Sequence, residues 1–120
     1  MNREIIFRGK SIAKGKWLYG NIQIPEAPYD KYFMWDNGWQ TQVDANTIGQ
    51  YTGLKDKVGK KIFEGDIVEF TNLDLPNMVI RFDNGSFMFC EDKNSTYEEL
   101  RMNYAVEVVG NIYEHPELIK

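Results

Sequence analysis

Short β-type segments separated by turn residues run along the whole chain, and this pattern constrains its fold most strongly. The tripeptide Asp-Asn-Gly occurs twice, at 36–38 and 83–85, each time between two runs rich in β-branched and aromatic residues. Asn-Gly tolerates the positive φ angles of a tight hairpin turn, so both positions predict β-hairpins. Roughly eight or nine such strands, without alternating helices, indicate an all-β fold.

The spacing of these segments predicts a small, partly open antiparallel barrel, extended by N-terminal β-hairpins and completed by one or two short helical turns. Gly20, Gly49 and Gly110 lie inside predicted strands, where glycine fits the sharp bends of a small barrel. The first strand is predicted over 4–8, ending at Gly9.

Two segments have helical patterns. In 95–101, Ser95 and Glu98 have the spacing of a capping box. In 116–119, Pro116 suits the first turn of a helix. Both are short, so we expect a turn or two of helix at 95–101 and a short helical segment at 116–119.

At 120 residues the chain fits one domain spanning 1–120. Cys90 is the only cysteine, which excludes an intramolecular disulfide and a cysteine-based metal cage, and fits a reducing, cytoplasmic setting. The first ten residues hold a three-residue apolar run before Arg8. We therefore expect neither a signal peptide nor a membrane partner.

No group of residues predicts catalysis, a cofactor or a metal. His115 is the only histidine and has no plausible cysteine or histidine partner in the sequence, so we expect it to cap or decorate a helix start. Cys90 follows an aromatic run and is expected to pack as a small hydrophobe. The eighteen acidic residues are scattered through turns and form no recognisable acid–base pair.

The three tryptophans all fall between Trp17 and Trp39, within two predicted hairpins. There the aromatic side chains alternate with buried-type residues, so both faces of these hairpins carry apolar groups. A two-sided apolar sheet must be covered on both sides, either by the protein's own core or by a partner. Trp17, Tyr19, Trp35 and Trp39 are therefore the candidate protein contacts.

A lysine-rich loop offers a different function. Lys55, Lys57, Lys60 and Lys61 face only one acid, Asp56, and could contact a phosphate backbone as loops of small barrels do. The alternative is a solvated hairpin loop. The formal net charge of −4 opposes sequence-independent binding of nucleic acid, and the 53–61 segment lacks the spacing and the helix of a phosphate-binding loop.

Five segments resemble the YopX family, whose members occur mainly in prophages and phages of bacteria. They are 48–57 (IGQYTGLKDK), 59–68 (GKKIFEGDIV), 7–10 (FRGK), 17–20 (WLYG) and 109–118 (VGNIYEHPEL). The resemblance implies a β-rich fold related to SH3-type small barrels, with self-association, and implies no activity.

Two functions follow as expectations. The first is a non-enzymatic protein-binding or self-assembling module, acting in the bacterial cytoplasm on a host or phage protein or as a homo-oligomer. The alternative is a nucleic-acid-binding small barrel that uses the 55–61 loop. An enzyme with a dispersed site ranks behind both.

Overall fold

The computed structural model describes residues 4–92, 95–101 and 104–119, and strands dominate them. In chain order the elements are β1 (Phe7–Ser11), β2 (Trp17–Gly20), β3 (Tyr32–Asp36), β4 (Trp39–Lys55), β5 (Lys61–Phe63), β6 (Asp66–Phe70), β7 (Met78–Asp83), β8 (Ser86–Cys90), β9 (Glu98–Glu99), β10 (Val106–Asn111) and a 3-10 helix (Pro116–Leu118). The all-β prediction is confirmed. The chain divides into two compact units, one ending at Tyr51 and one beginning at Thr52.

The first unit is an antiparallel sheet of strand order β2-β1-β4-β3. β1 pairs with β2, and β3 pairs with β4 across the first Asp-Asn-Gly turn, where Asn37 has a φ of 51°. The two N-terminal hairpins are therefore confirmed. The polar turn residues allow the tight reversal, and the apolar flanks hold the register.

The two end strands of this sheet approach each other. The Cα atoms of β2 lie within 8 Å of those of β3. Just past β2, Gln23 forms an antiparallel bridge with Phe33 of β3. At the other end, Lys16 Nζ lies 3.0 Å from Asp36 Oδ1. The sheet of the first unit is therefore curled, with a concave side that holds its core.

The core of the first unit consists of Leu18, Met34 and Val43, each at most 5% exposed. Gly9 lies opposite Leu18 in the middle of β1. A Cβ placed on Gly9 would lie 3.1 Å from Met34 Sδ and 3.2 Å from Val43 Cβ. The prediction that Gly9 ends the first strand is wrong, because this glycine lets two core side chains pack directly on the backbone.

β4 is one long strand with an interruption in its pairing. Opposite β1 the register passes from Asp44 directly to Gly49. Thr47 fills the gap, since its Oγ1 accepts a hydrogen bond from the Lys10 N–H at 2.9 Å and donates one to the Asp44 carbonyl at 2.6 Å. A hydroxyl thus replaces the missing backbone partner where the strand bends.

The second unit holds a sheet of order β10-β6-β7-β8-β9, and β5 pairs with the end of β4. β7 and β8 form the second predicted hairpin around Asn84, whose φ is 52°. The buried cluster of this unit lies on one side of the sheet. Its members are Ile62, Val68, Phe70, Met78, Ile80, Phe89 and Val106.

The helical prediction for 95–101 is wrong, and that for 116–119 is confirmed. Glu98 and Glu99 pair with β8 as β9, and the N–H groups of Tyr97 and Leu100 donate to carbonyls of β8. Ser95 Oγ donates to Asp92 Oδ1 instead of capping a helix. Leu100 packs on the buried cluster, so tertiary contacts override the short capping signal.

Among the described residues there is no helix whose length and apolar content would let it cross a membrane.

Candidate functional site

Three of the four predicted contact aromatics lie on one face of the first unit. Leu18 and Met34 point into its core. Side chains alternate along a strand, so Trp17 and Tyr19 of β2 and Trp35 of β3 point to the opposite side of the sheet. We call this side of the β2-β1-β4-β3 sheet, away from the core of the first unit, the outer face.

Trp39 does not share this face. It pairs with Asp36, one position beyond the Trp35–Gln40 pair. Alternation along β4 puts Trp39 on the same side as Val43, at the hairpin end. Its ring is 78% exposed. The four candidates therefore form a group of three and one separate tryptophan.

Trp17 is a supported part of the outer face. The Arg8 guanidinium carbon lies 4.8 Å from the centroid of its ring, and Lys10 Nζ lies 6.0 Å from it. Arg8 and Lys10 occupy β1 directly opposite Tyr19 and Trp17. These cation–π contacts hold the indole in place, so the outer face has a fixed aromatic centre.

Tyr19 and Trp35 are the exposed rings of the outer face, at 57% and 45%. Neither belongs to the core cluster of the first unit. Large aromatic side chains exposed on a structured sheet are typical of surfaces that bind proteins. These two rings are the strongest candidates for direct contact.

A pocket that the sequence did not predict adjoins the outer face. A cavity of about 640 Å³ lies between the 23–31 segment and Phe33. Phe33 and Trp35 lie two positions apart in β3, so both side chains point to the outer face. Apart from the Asp-Asn-Gly turn, the 25–39 region contains no motif, and the Gln23–Phe33 bridge is what places this segment beside β3.

The 55–61 loop is organised by a buried carboxylate. Asp56 is 7% exposed. Its Oδ1 accepts hydrogen bonds from the N–H groups of Val58 at 3.0 Å and Lys60 at 2.9 Å. Its Oδ2 accepts one from the N–H of Val108 at 3.0 Å. The adjacent Lys57 N–H donates to the Val106 carbonyl, so the loop is fastened along β10.

Burial by itself would raise the pKa of the Asp56 carboxyl. The hydrogen bonds from the N–H groups of Val108, Lys60 and Val58, together with the positive charge of Lys60, act in the opposite direction and prevail. The pKa of Asp56 therefore lies below its ordinary value, and the ionised form stabilises the loop.

The lysines surround this inward-facing acid. Lys55, Lys57 and Lys60 are exposed, and Lys61 is half-buried in β5. Lys57 Nζ lies 4.0 Å from Glu107 Oε1, at the outer limit of an ion pair. The four predicted lysines thus lie at the end of β4, in the loop that follows and at the start of β5, and three of them are exposed.

The other residues considered for chemistry have structural roles. Cys90 is fully buried. His115 Nδ1 accepts a hydrogen bond from the Asn111 N–H at 3.1 Å, and Asn111 Oδ1 accepts two from Tyr113 and Glu114. Throughout the described ranges, no cluster of three or more histidine, cysteine or acidic side chains could hold a metal ion.

Comparisons with known proteins identify the family and the fold. The sequence profile described as YopX protein matches residues 6–120. The crystal structure of protein EF1440 from Enterococcus faecalis is similar in fold, with a TM-score of 0.62 and 24% sequence identity, over 99% of this chain and 100% of that one. No curated protein matches the sequence significantly.

Proposed function

Since the chain belongs to the YopX family, and since members of this family occur mainly in prophages and phages of bacteria, we propose that it is a non-enzymatic, protein-binding module of the bacterial cytoplasm. The exposed rings of Tyr19 and Trp35 on the outer face carry the proposal. A second copy of the chain and a host or phage protein are the two kinds of partner. In either case the partner covers the outer face of the first unit.

The magnitude of aromatic burial supports this surface. The exposed 45% of Trp35 amounts to on the order of 100 Å² of mostly apolar area. Covering that area contributes about 2.5 kcal/mol at roughly 25 cal/mol per Å². Trp17 on the same face is already held by Arg8, so little of its side-chain entropy is lost on binding.

The non-enzymatic part of the proposal is supported by the state of Asp56. Its pKa is lowered, and all three of its side-chain hydrogen bonds go to backbone N–H groups of the fold. A carboxylate held in this way serves loop structure, whereas acid–base catalysis requires one that reaches a substrate.

Replacing Tyr19 and Trp35 together by serine is expected to weaken partner binding about tenfold or more, because aromatic anchors dominate protein interfaces. Sedimentation velocity over a concentration series reports self-association. Affinity capture from host lysate, followed by quantitative mass spectrometry, reports binding of other proteins. The free energy of unfolding should change little, since both rings are outside the core.

Trp39→Ser is the matched control, because it removes a more exposed tryptophan from the opposite side of the sheet. Its self-association and the proteins that it captures from lysate should be the same as those of the natural chain. The proposal would be overturned if Trp39→Ser weakened partner binding as much as the double substitution does. It would also be overturned if the natural chain neither self-associated nor retained any protein selectively.

We propose nucleic-acid binding as the second candidate, and the inward orientation of Asp56 favours it. The acid that stands among the lysines in sequence is buried, while Lys55, Lys57 and Lys60 are exposed. A rigid basic loop of this kind can follow a phosphate backbone without reading sequence.

If this second candidate holds, Lys57→Ser with Lys60→Ser lowers the affinity for a DNA duplex. Each lost phosphate contact should reduce the slope of log K against log salt by about 0.9. A gel-shift titration across salt concentrations measures both quantities. Lys14→Ser with Lys31→Ser removes the same charge from exposed positions outside the loop. This candidate is excluded if both double substitutions change the slope of log K against log salt equally. It is also excluded if the natural chain does not shift the DNA band at low salt.

A further inference from the structure

The pocket between the 23–31 segment and β3, which we call the 23–33 pocket, has walls fixed by hydrogen bonds. Gln23 and Phe33 exchange backbone hydrogen bonds of 2.8 and 3.3 Å. The Gln40 Nε2 group donates to Gln23 Oε1 at 2.8 Å, and the Tyr29 N–H donates to the Glu26 carbonyl at 2.8 Å. These bonds tie the segment both to β3 and β4 and to itself, so the pocket exists before any ligand binds.

The lining combines apolar side chains with two acids. Among the lining residues Phe33 is half-buried, while Ile24 and Tyr29 are 66% and 77% exposed. The pocket volume of about 640 Å³ falls within the roughly 300–1,000 Å³ of small-ligand sites. Exposed apolar groups around a preformed concavity indicate that a flexible, partly apolar chain fits there.

The charged residues of the lining determine the sign of the charge that a ligand should carry. Glu26 and Asp30 place two carboxylates at the pocket, and Lys31 is its single cation. Within residues 4–92, 95–101 and 104–119, neither carboxylate is engaged in an ion pair. The chain as a whole carries −4. A cation is therefore attracted at long range as well as locally.

Arginine matches this combination best. Its guanidinium is planar, stacks on aromatic rings and donates in a fork to carboxylates, while its methylene stem covers apolar surface. Tyr29 supplies the ring, Glu26 and Asp30 supply the carboxylates, and Ile24 supplies the apolar wall. Lysine would form only a point-charge contact in the same place.

We infer that the 23–33 pocket receives an arginine side chain of the protein that the outer face binds. This inference rests on the proposed function. The two sites are continuous, because Phe33 of the pocket and Trp35 of the outer face are alternate residues of one strand. A partner segment that crosses Trp35 can therefore place an arginine in the pocket.

The test uses the whole chain labelled with ¹⁵N and titrated with N-acetyl-arginine amide. Saturable shifts are expected in the amide resonances of residues 23–33. N-acetyl-citrulline amide, which has the same shape without the charge, should cause none at matched ionic strength. Glu26→Gln with Asp30→Asn should weaken arginine binding about tenfold, since charge-assisted hydrogen bonds are lost.

Glu69→Gln with Asp74→Asn is the matched control, because it neutralises two exposed acids in the second unit. It should leave arginine binding within twofold of the natural chain, a margin expected from net-charge effects alone. Binding of citrulline as strong as that of arginine, no saturable shift, or equal weakening in the control overturns the inference.

The same titration separates this inference from the proposed function. Tyr19→Ser with Trp35→Ser should leave the arginine-induced shifts intact while weakening partner binding about tenfold or more. If arginine binds but the aromatic substitutions do not affect any partner, the outer-face proposal fails and the pocket stands. If the aromatic substitutions weaken partner binding but arginine does not bind, the pocket fails alone.

Discussion

Asp56→Ala is expected to lower the free energy of unfolding by roughly 3 kcal/mol or more, since a hydrogen bond to a charged group contributes about 1.5–3 kcal/mol. Three N–H groups, those of Val58, Lys60 and Val108, lose their acceptor together. Asp56→Asn keeps one oxygen and should cost less than alanine. Urea denaturation followed by circular dichroism measures both changes.

Asp74→Ala removes an exposed acid and is the control for this series. It should change the free energy of unfolding by less than about 0.5 kcal/mol. A loss of stability in Asp56→Ala no larger than this would show that the carboxylate does not organise the loop.

The same carboxylate gives a pH dependence with a definite sign. The pKa of Asp56 is lower in the folded chain than its ordinary value of 3.8. The ionised carboxylate therefore makes its full contribution to the free energy of unfolding at pH values above the pKa of the unfolded chain. This contribution is lost as pH falls through the folded pKa. The difference in the free energy of unfolding between the natural chain and Asp56→Asn should therefore become smaller as the pH is lowered below 5. Urea denaturation at a series of pH values measures this difference.

Gly65→Ala should destabilise the second unit by about 3 kcal/mol or more, because a φ unfavourable for alanine and a steric clash act together. The φ of Gly65 is +95°, and an added Cβ would lie 2.9 Å from Tyr113 Cε2. The backbone also has no freedom to shift, since the Gly65 N–H donates to Ile80 and its carbonyl accepts from Ile112. Urea denaturation measures the effect.

Gly59→Ala isolates the cost of the backbone angle. Gly59 has almost the same φ, +91°, but an added Cβ would meet nothing within 4 Å. Its replacement should cost only the strain of the left-handed region, about 1–2 kcal/mol. If the two alanine variants were equally stable, the contact between Gly65 and Tyr113 would have no energetic importance.

Local patterns in the sequence predicted the hairpins well, because the Asn-Gly turns act within four residues. They failed where distant residues decide. Gly9 does not end its strand, since Met34 and Val43 pack against it, and 95–101 pairs with β8 instead of forming a helical turn. In both places a contact made only after folding outweighs the local preference.

The sequence identified residues of the candidate surface but not which of them share one side of the sheet. Alternation in the sequence identified Trp17, Tyr19 and Trp35, but the side on which Trp39 lies depends on the register of β3 with β4. The 23–33 pocket needed the bridge from Gln23 to Phe33. The inward direction of Asp56 likewise depends on Val108, which is 52 positions away.

The fastening of the 55–61 loop along β10 also covers part of the edge of a sheet. β10 is the last strand of its sheet, and the outward hydrogen-bonding groups of a terminal strand are a template for strands from other molecules. Here the Val106 carbonyl and the Val108 N–H are already taken by Lys57 and Asp56. One turn of chain thus occupies backbone groups of an edge strand with which a strand of another copy could otherwise pair.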